Sequence, residues 1–225
     1  MLYEEAKWIG TELIKISKQG YRVLNIGSSS QEFRADIQPY INEFIFNPLI
    51  EKNVTIVHTD IAKAEGVDIV GDLTDSIFID KLKKEKYEVI ICSNLLEHIV
   101  NREPIIFAIK EILRPNGIAI VTVPYHYPYH LDPIDTMFRP KIKELYKNFN
   151  EFELKKGEIV LGKSFRANAF QENYWEQLKN NPALILKLFL RCLMPFYKPK
   201  IWYFTVTSMI NIFKPFSASC IIVKK

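Results

Sequence analysis

Glycine is scarce in this sequence, with 8 among 225 residues, and the loop that matters most for a nucleotide ligand holds only one of them. That loop follows the apolar run Val23, Leu24 and Ile26 and reads Gly27-Ser28-Ser29-Ser30. A dinucleotide needs a second glycine, so that the backbone can approach its pyrophosphate, and a third for close helix packing. Ser29 and Glu32 stand in those places. The serine blocks the approach and the carboxylate repels the phosphates, which argues against a nicotinamide-dependent oxidoreductase.

Cysteine is rarer still. Cys92, Cys192 and Cys220 are odd in number, far apart and set among apolar residues, so reduced buried thiols are expected, with no disulfide framework and no metal-ligand spacing. The start, Met1-Leu2-Tyr3-Glu4-Glu5, carries two acids where an export signal is basic, and the expectation is a cytoplasmic protein. No apolar run reaches the roughly 18 residues that cross a bilayer. Acids are missing altogether from Ala183 to Lys225, where Lys187, Arg191, Lys198, Lys200, Lys214, Lys224 and Lys225 stand. The net charge of +4 therefore belongs to the C-terminal part, and the remainder of the chain is acidic. That positive charge is interleaved with apolar residues instead of forming a polar basic stripe, which points away from nucleic acid as a partner.

What is present is a chain 48% hydrophobic, ample for one well-buried domain. Tyr3 to Lys18 places Ala6, Ile9, Leu13 and Ile16 on one helical face, with Gly20 as a stop. Arg22 to Ile26 is a first buried strand running out into the serine loop, whose hydroxyls and amides can hold the amino-acid end of S-adenosylmethionine. Gln31 to Asn53 contains Pro39 and Pro48, which predicts two broken helical pieces. Val54 to His58 reads as a second strand ending on Thr59-Asp60. A carboxylate at that tip accepts hydrogen bonds from both hydroxyls of a ribose. Val67 to Leu73 is a short third strand. There Asp72 can accept from an adenine amino group, and Gly71 keeps the backbone near the ring. Both acids have an alternative role as turn or helix caps. Tyr87 to Ser93 is the central strand. A helix from near Pro104 carries Ile105, Ile109, Ile112 and Leu113, stops at the turn Pro115-Asn116-Gly117, and leads into the strand Ile118 to Val123. Five strands alternating with helices predict an α/β fold with a doubly wound parallel sheet.

The order of these motifs resembles the class I S-adenosylmethionine-dependent methyltransferases over roughly residues 20 to 125. The resemblance rests on Val-Leu-Asn-Ile-Gly-Ser at 23 to 28, Asp60, Val-Gly-Asp-Leu at 70 to 73, Ser-Asn-Leu-Leu-Glu-His-Ile at 93 to 99, and Leu-Arg-Pro-Asn-Gly at 113 to 117 before a strand and Pro124. It implies a Rossmann-like, mostly parallel seven-stranded sheet with an antiparallel last strand. Carried over by position, Gly27, Ser28 and Ser29 hold the methionine end with Arg34 as a carboxylate partner. Asp60 takes the ribose, Asp72 and Leu73 frame the adenine, and Ser93 and Asn94 lie near the sulfonium. Glu97 and His98 sit one step further on, at the rim. The family has an acid where Asn25 stands, so the contact to the cofactor's ammonium is altered or water-mediated. The loop, Phe33-Arg34 and the segment Pro124 to Pro140 further resemble members found with bacterial surface-polysaccharide biosynthesis, which implies a sugar or glycan acceptor.

Methyl transfer to a sugar hydroxyl requires that its proton leave as the oxygen attacks, which a nearby histidine or carboxylate assists. His130 with Asp132 or Asp135 is the first candidate for base and orienter, and His98 the second. Each has an alternative role capping the loop or pairing with Arg139. Magnesium held by these groups is conceivable, but no metal is expected. Tyr125, Tyr127 and Tyr129 offer faces for a sugar.

Phe152 to Leu161 reads as a sixth strand and Ser217 to Val223 as a last edge strand. The whole chain, 1–225, is then one domain, with a core of about 20–163 plus 217–223 and a helical lid or interface insertion at 164–216. Within it, 183–214 is a candidate for peripheral contact with anionic lipid, at the inner face of a membrane, or for a homodimer surface. Two other readings stand beside O-methylation of a sugar or lipid-linked glycan: methylation of a small metabolite or lipid, and a non-catalytic scaffold subunit of the same fold.

Overall fold

The computed structural model describes residues 1–129, 134–164 and 214–225, together with single positions at 186, 190, 199, 202 and 206. The insertion expected at 164–216 and the contacts assigned to 183–214 fall largely outside the described residues, as does Cys192. Among the described residues no helix is long and apolar enough to cross a membrane. Cys92 and Cys220 are buried and free.

Helix α1 (Tyr3–Ile16) buries the predicted stripe of Ala6, Ile9 and Leu13. Strand β1 (Arg22–Ile26) follows. The connection from 31 to 53 is three pieces where two were expected: wide π-type turns at Phe33–Ile37 and Asn42–Phe46 and a short helix α2 (Asn47–Glu51). Pro48 stands at the first turn of α2, where its missing N–H costs nothing. Strands β2 (Thr55–Asp60) and β3 (Ile69–Val70) precede α3 (Ser76–Lys83), which Asp75 caps by accepting from the Ile77 amide at 2.9 Å. Then come β4 (Tyr87–Ser93), a short 3-10 turn (Leu96–His98), α4 (Glu103–Ile112), β5 (Leu113–His126), α5 (Ile142–Lys147), β6 (Glu153–Ser164) and β7 (Pro215–Lys224).

The strands form a seven-stranded sheet in the order β3-β2-β1-β4-β5-β7-β6. The first five run parallel, and β7 is antiparallel to β5 and β6. Side-chain alternation sorts the core into two layers. Leu24, Ile26, Ile90, Cys92, Val121 and Ile221 face α3, α4 and α5. Val23, Val89, Ile91, Ile120 and Ile222 face α1 and α2.

Two sequence expectations are corrected here. β7 is not the edge strand but lies between β5 and β6. It pairs with both neighbours, and its eight residues from Phe216 to Val223 are all buried, whereas β6 carries Glu153, Lys155, Lys156 and Glu158 and blunts the open edge. Pro115-Asn116-Gly117 does not break the chain into a separate turn. Those residues stay within β5 as an irregularity opposite Tyr87 and Val89, with Asn116 at φ 64°.

Candidate functional site

Strand order reverses between β1 and β4, one winding outward through β2 and β3 and the other through β5. Loops leaving the carboxyl ends of such strands diverge and leave a crevice. Here that crevice is a cleft of about 650 Å³, lined by residues from β1, β2, β4, β5, β7 and α1.

The loop after β1 turns at Gly27, whose φ of 63° favours glycine and which lies against the Leu95 side chain. The Ser28 amide donates to the Thr59 carbonyl at 3.1 Å. Ser29, also left-handed at φ 56°, donates its amide to Asp60 Oδ2 at 2.8 Å. The other Asp60 oxygen accepts from the Ala62 amide at 3.1 Å. Each carboxylate oxygen has two lone pairs, so one acceptor site remains on each, which matches the two hydroxyls of a ribose. Arg34 is buried beneath the loop and donates to the carbonyls of Ser28, Ser29 and Gly66 at 2.8, 2.6 and 2.7 Å. Its guanidinium holds the loop's backbone, a different task from the carboxylate contact expected of it.

Asp72 and Leu73 line the same cleft. Asp72 accepts from the Thr74 amide at 2.8 Å, and Leu73 packs against the core. Gly71 is required by the protein itself: a Cβ there would come within 2.3 Å of the Phe78 ring. Ser93 and Asn94 end β4 at the cleft, Asn94 being left-handed at φ 50°. Gly27, Ser28, Ser29, Arg34, Asp60, Asp72, Leu73, Ser93 and Asn94 are thus brought together in one cavity.

His98 lines the cleft as well, its Nδ1 2.6 Å from the Ile134 carbonyl and its Nε2 3.9 Å from Glu97 Oε1. His130 and Asp132 lie outside the described residues. Asp135 pairs with Arg139 at 2.8 Å. Among the described residues no group of three His, Cys, Asp or Glu could hold a metal ion.

Glu97 corrects the sequence expectation. It is not on the rim; it is 1% exposed and lines the cleft, and among the described residues its Oε2 has no hydrogen-bond partner. Burial, reinforced by the nearby Glu5 carboxylate, pushes its pKa up to about 8. Glu5 itself reaches the site from α1. It is 1% exposed and accepts from Thr122 Oγ1 at 2.5 Å, Asn94 Nδ2 at 2.8 Å and the Leu2 amide at 3.1 Å. Asn25 Nδ2 donates to His58 Nδ1 at 3.1 Å, and burial depresses the pKa of His58 to about 4. Sequence reasoning missed Glu5 and the β7 residues Ser217 and Ala218, which line the cleft, and His58, which lies behind Asn25. For Glu5 a signal existed: it stands one turn before Ile9, an acid inside the apolar stripe of α1.

No family model matches the sequence, and no curated protein matches it. Solved structures do. Coclaurine N-methyltransferase bound to N-methylheliamine and S-adenosylhomocysteine is 17% identical with a TM-score of 0.58, over 99% of this chain and 70% of that one. The chain has the class I methyltransferase fold. A S-adenosylmethionine-dependent methyltransferase from Archaeoglobus fulgidus shares it at 14% identity and a TM-score of 0.55, over 98% of this chain and 94% of that one. So does the cyclase SpnF, at 14% identity and a TM-score of 0.56, over 97% and 80%. A methyltransferase fold can therefore carry a different reaction, and function has to be argued from the site.

Proposed function

We propose that the protein is an S-adenosylmethionine-dependent methyltransferase acting on a hydroxyl of a sugar or glycan intermediate. The observation that carries the cofactor is the convergence of Asp60, with its two remaining acceptor sites, and the Gly27 to Ser29 loop on a cleft whose other charged groups are chiefly acids: Glu5, Asp72 and Glu97. S-adenosylmethionine has a ribose diol and a net positive charge, and it supplies a methyl group already activated for displacement. The chain's own part is alignment. Asp60 orients the ribose, Asp72 and Leu73 bracket the base, and the loop amides hold the methionine end. No acid stands at Asn25, and Glu5, on the same face of the sheet, supplies negative charge to that end of the cleft.

The acceptor reading draws on the aromatic segment after β5, of which Tyr127 lines the cleft. His98, which lines the cleft, stands there to take the acceptor's proton.

Calorimetric titration with S-adenosylmethionine tests the cofactor. Saturable binding is expected, weakened about tenfold or more in Asp60→Ala, since a hydrogen bond to a charged group contributes about 1.5–3 kcal/mol. Thermal melting separates lost binding from lost folding. Absent binding to the wild type overturns the reading, and with it any acceptor screen of nucleotide sugars and lipid-linked glycans.

A further inference from the structure

We propose that Glu97 is the group by which the cleft tells the sulfonium cofactor from its neutral thioether product. The inference rests on the cofactor reading above and concerns how the site releases what it has used.

The two ligands differ by one methyl group and one positive charge. A methyl group gives modest discrimination by fit, and the positive charge is the difference that a carboxyl can read. Asp60 and Asp72 bond loop amides near the mouth, where water screens them. Glu5 is already bonded by Thr122, Asn94 and the Leu2 amide. Glu97 differs from all three: it is buried, lines the cleft, and leaves one oxygen without a partner among the described residues. Such a carboxyl is costly to ionise alone and much less costly opposite a cation, because charges interact strongly where the dielectric is low.

The charged and titratable groups facing Glu97 from its surroundings are Glu5 on α1, the Met1 ammonium, Cys92 on β4, Arg102, Arg139 and its own neighbour His98. Glu5 opposes its ionisation, and Arg139 and the Met1 ammonium favour it. Burial outweighs them, and the group titrates at about 8. In the free protein at neutral pH Glu97 is mostly protonated. When a sulfonium enters, the carboxyl loses its proton to solvent and the site becomes neutral. When the methyl group has left, the thioether offers no charge, the carboxyl takes its proton back, and the product is held less tightly.

The test is titration of the wild type and Glu97→Gln with S-adenosylmethionine and with S-adenosylhomocysteine from pH 7 to pH 9. A group with a pKa near 8 is about one-tenth ionised at pH 7 and nine-tenths at pH 9, so the wild-type preference for the sulfonium should rise about tenfold more than the variant's. Ligand amines titrate equally against both proteins and cancel in that comparison. S-adenosylhomocysteine affinity should stay within about threefold in the variant. Equal pH slopes in the two proteins overturn the proposal. Where Glu97→Gln does not fold, the wild type alone decides, with 5′-methylthioadenosine and its S-methyl sulfonium, which lack the amino-acid portion and so have no group that titrates from pH 7 to 9: a flat ratio across that range overturns it. If neither cofactor form binds the wild type at any pH, the cofactor reading has failed and not this one alone.

Discussion

At Asn25 one side chain decides the state of another. Its amide donates to Nδ1 of His58, which places the ring proton of the neutral imidazole on Nε2. Phe46 packs edge-on against that ring at 4.7 Å, and burial holds the pKa near 4. An aspartate at the same place can only accept, so it requires a proton on Nδ1 and favours the imidazolium. Asn25→Asp should therefore carry the His58 midpoint up to or beyond its ordinary value, read from the imidazole proton shifts in an NMR titration. A midpoint still near 4 would show that the pair does not control the ring. The acid to amide departure was legible in the sequence, but its consequence was not, because only the register of β1 on β2 sets residue 25 opposite residue 58.

Among the elements, β6 and β7 best separate what pattern shows from what packing shows. Both read as strands, and the sequence expectation puts β7 at the edge, whereas the sheet holds it between β5 and β6. Side-chain burial comes from the layers packed on the two faces of the sheet, and the strand order from backbone pairing. Ile221→Ala, at a fully buried β7 position, should cost about 2–5 kcal/mol in urea unfolding. Leu161→Ala, on β6 at 62% exposure, should change stability by less than about 0.5 kcal/mol. Comparable losses at the two sites would contradict that difference in burial. The connection from 31 to 53 makes a similar point: two prolines announced a broken helix, but the wide turns around Asn42–Phe46 follow from packing against α1.

For the molecule as a whole, the buried Glu97 and His58 give stability an unusual pH profile. Between its unfolded value of 4.5 and its folded value of about 8, Glu97 keeps a proton that the unfolded chain releases, so this group makes stability fall as pH rises through that window. His58 acts the other way. From its unfolded value of 6.5 down to about 4 the unfolded chain binds the extra proton, so stability falls as pH drops. The two contributions oppose each other most strongly below pH 6.5; above it the opposition of His58 fades within about one pH unit, while that of Glu97 continues toward 8. Wild-type stability should decline from pH 6.5 to 8, by at most about 1.4 kcal/mol per pH unit, and Glu97→Gln should remove the decline. Denaturant midpoints at pH 6.5, 7.25 and 8 measure it, and parallel curves for the two proteins would refute the assignment.

The sequence by itself determined the alternation of strands and helices, the single-glycine loop after the first strand, and the acids that follow the second and third strands. These are local properties: periodicity, turn chemistry and the residue that ends each strand. Only the tertiary structure decided that Arg34 is spent on loop carbonyls, that Glu97 lies buried in the cleft, and that a glutamate 117 residues away from Thr122 bonds it there. Desolvation and long-range pairing arise from the approach of distant segments, and no stretch of sequence contains both partners of such a contact.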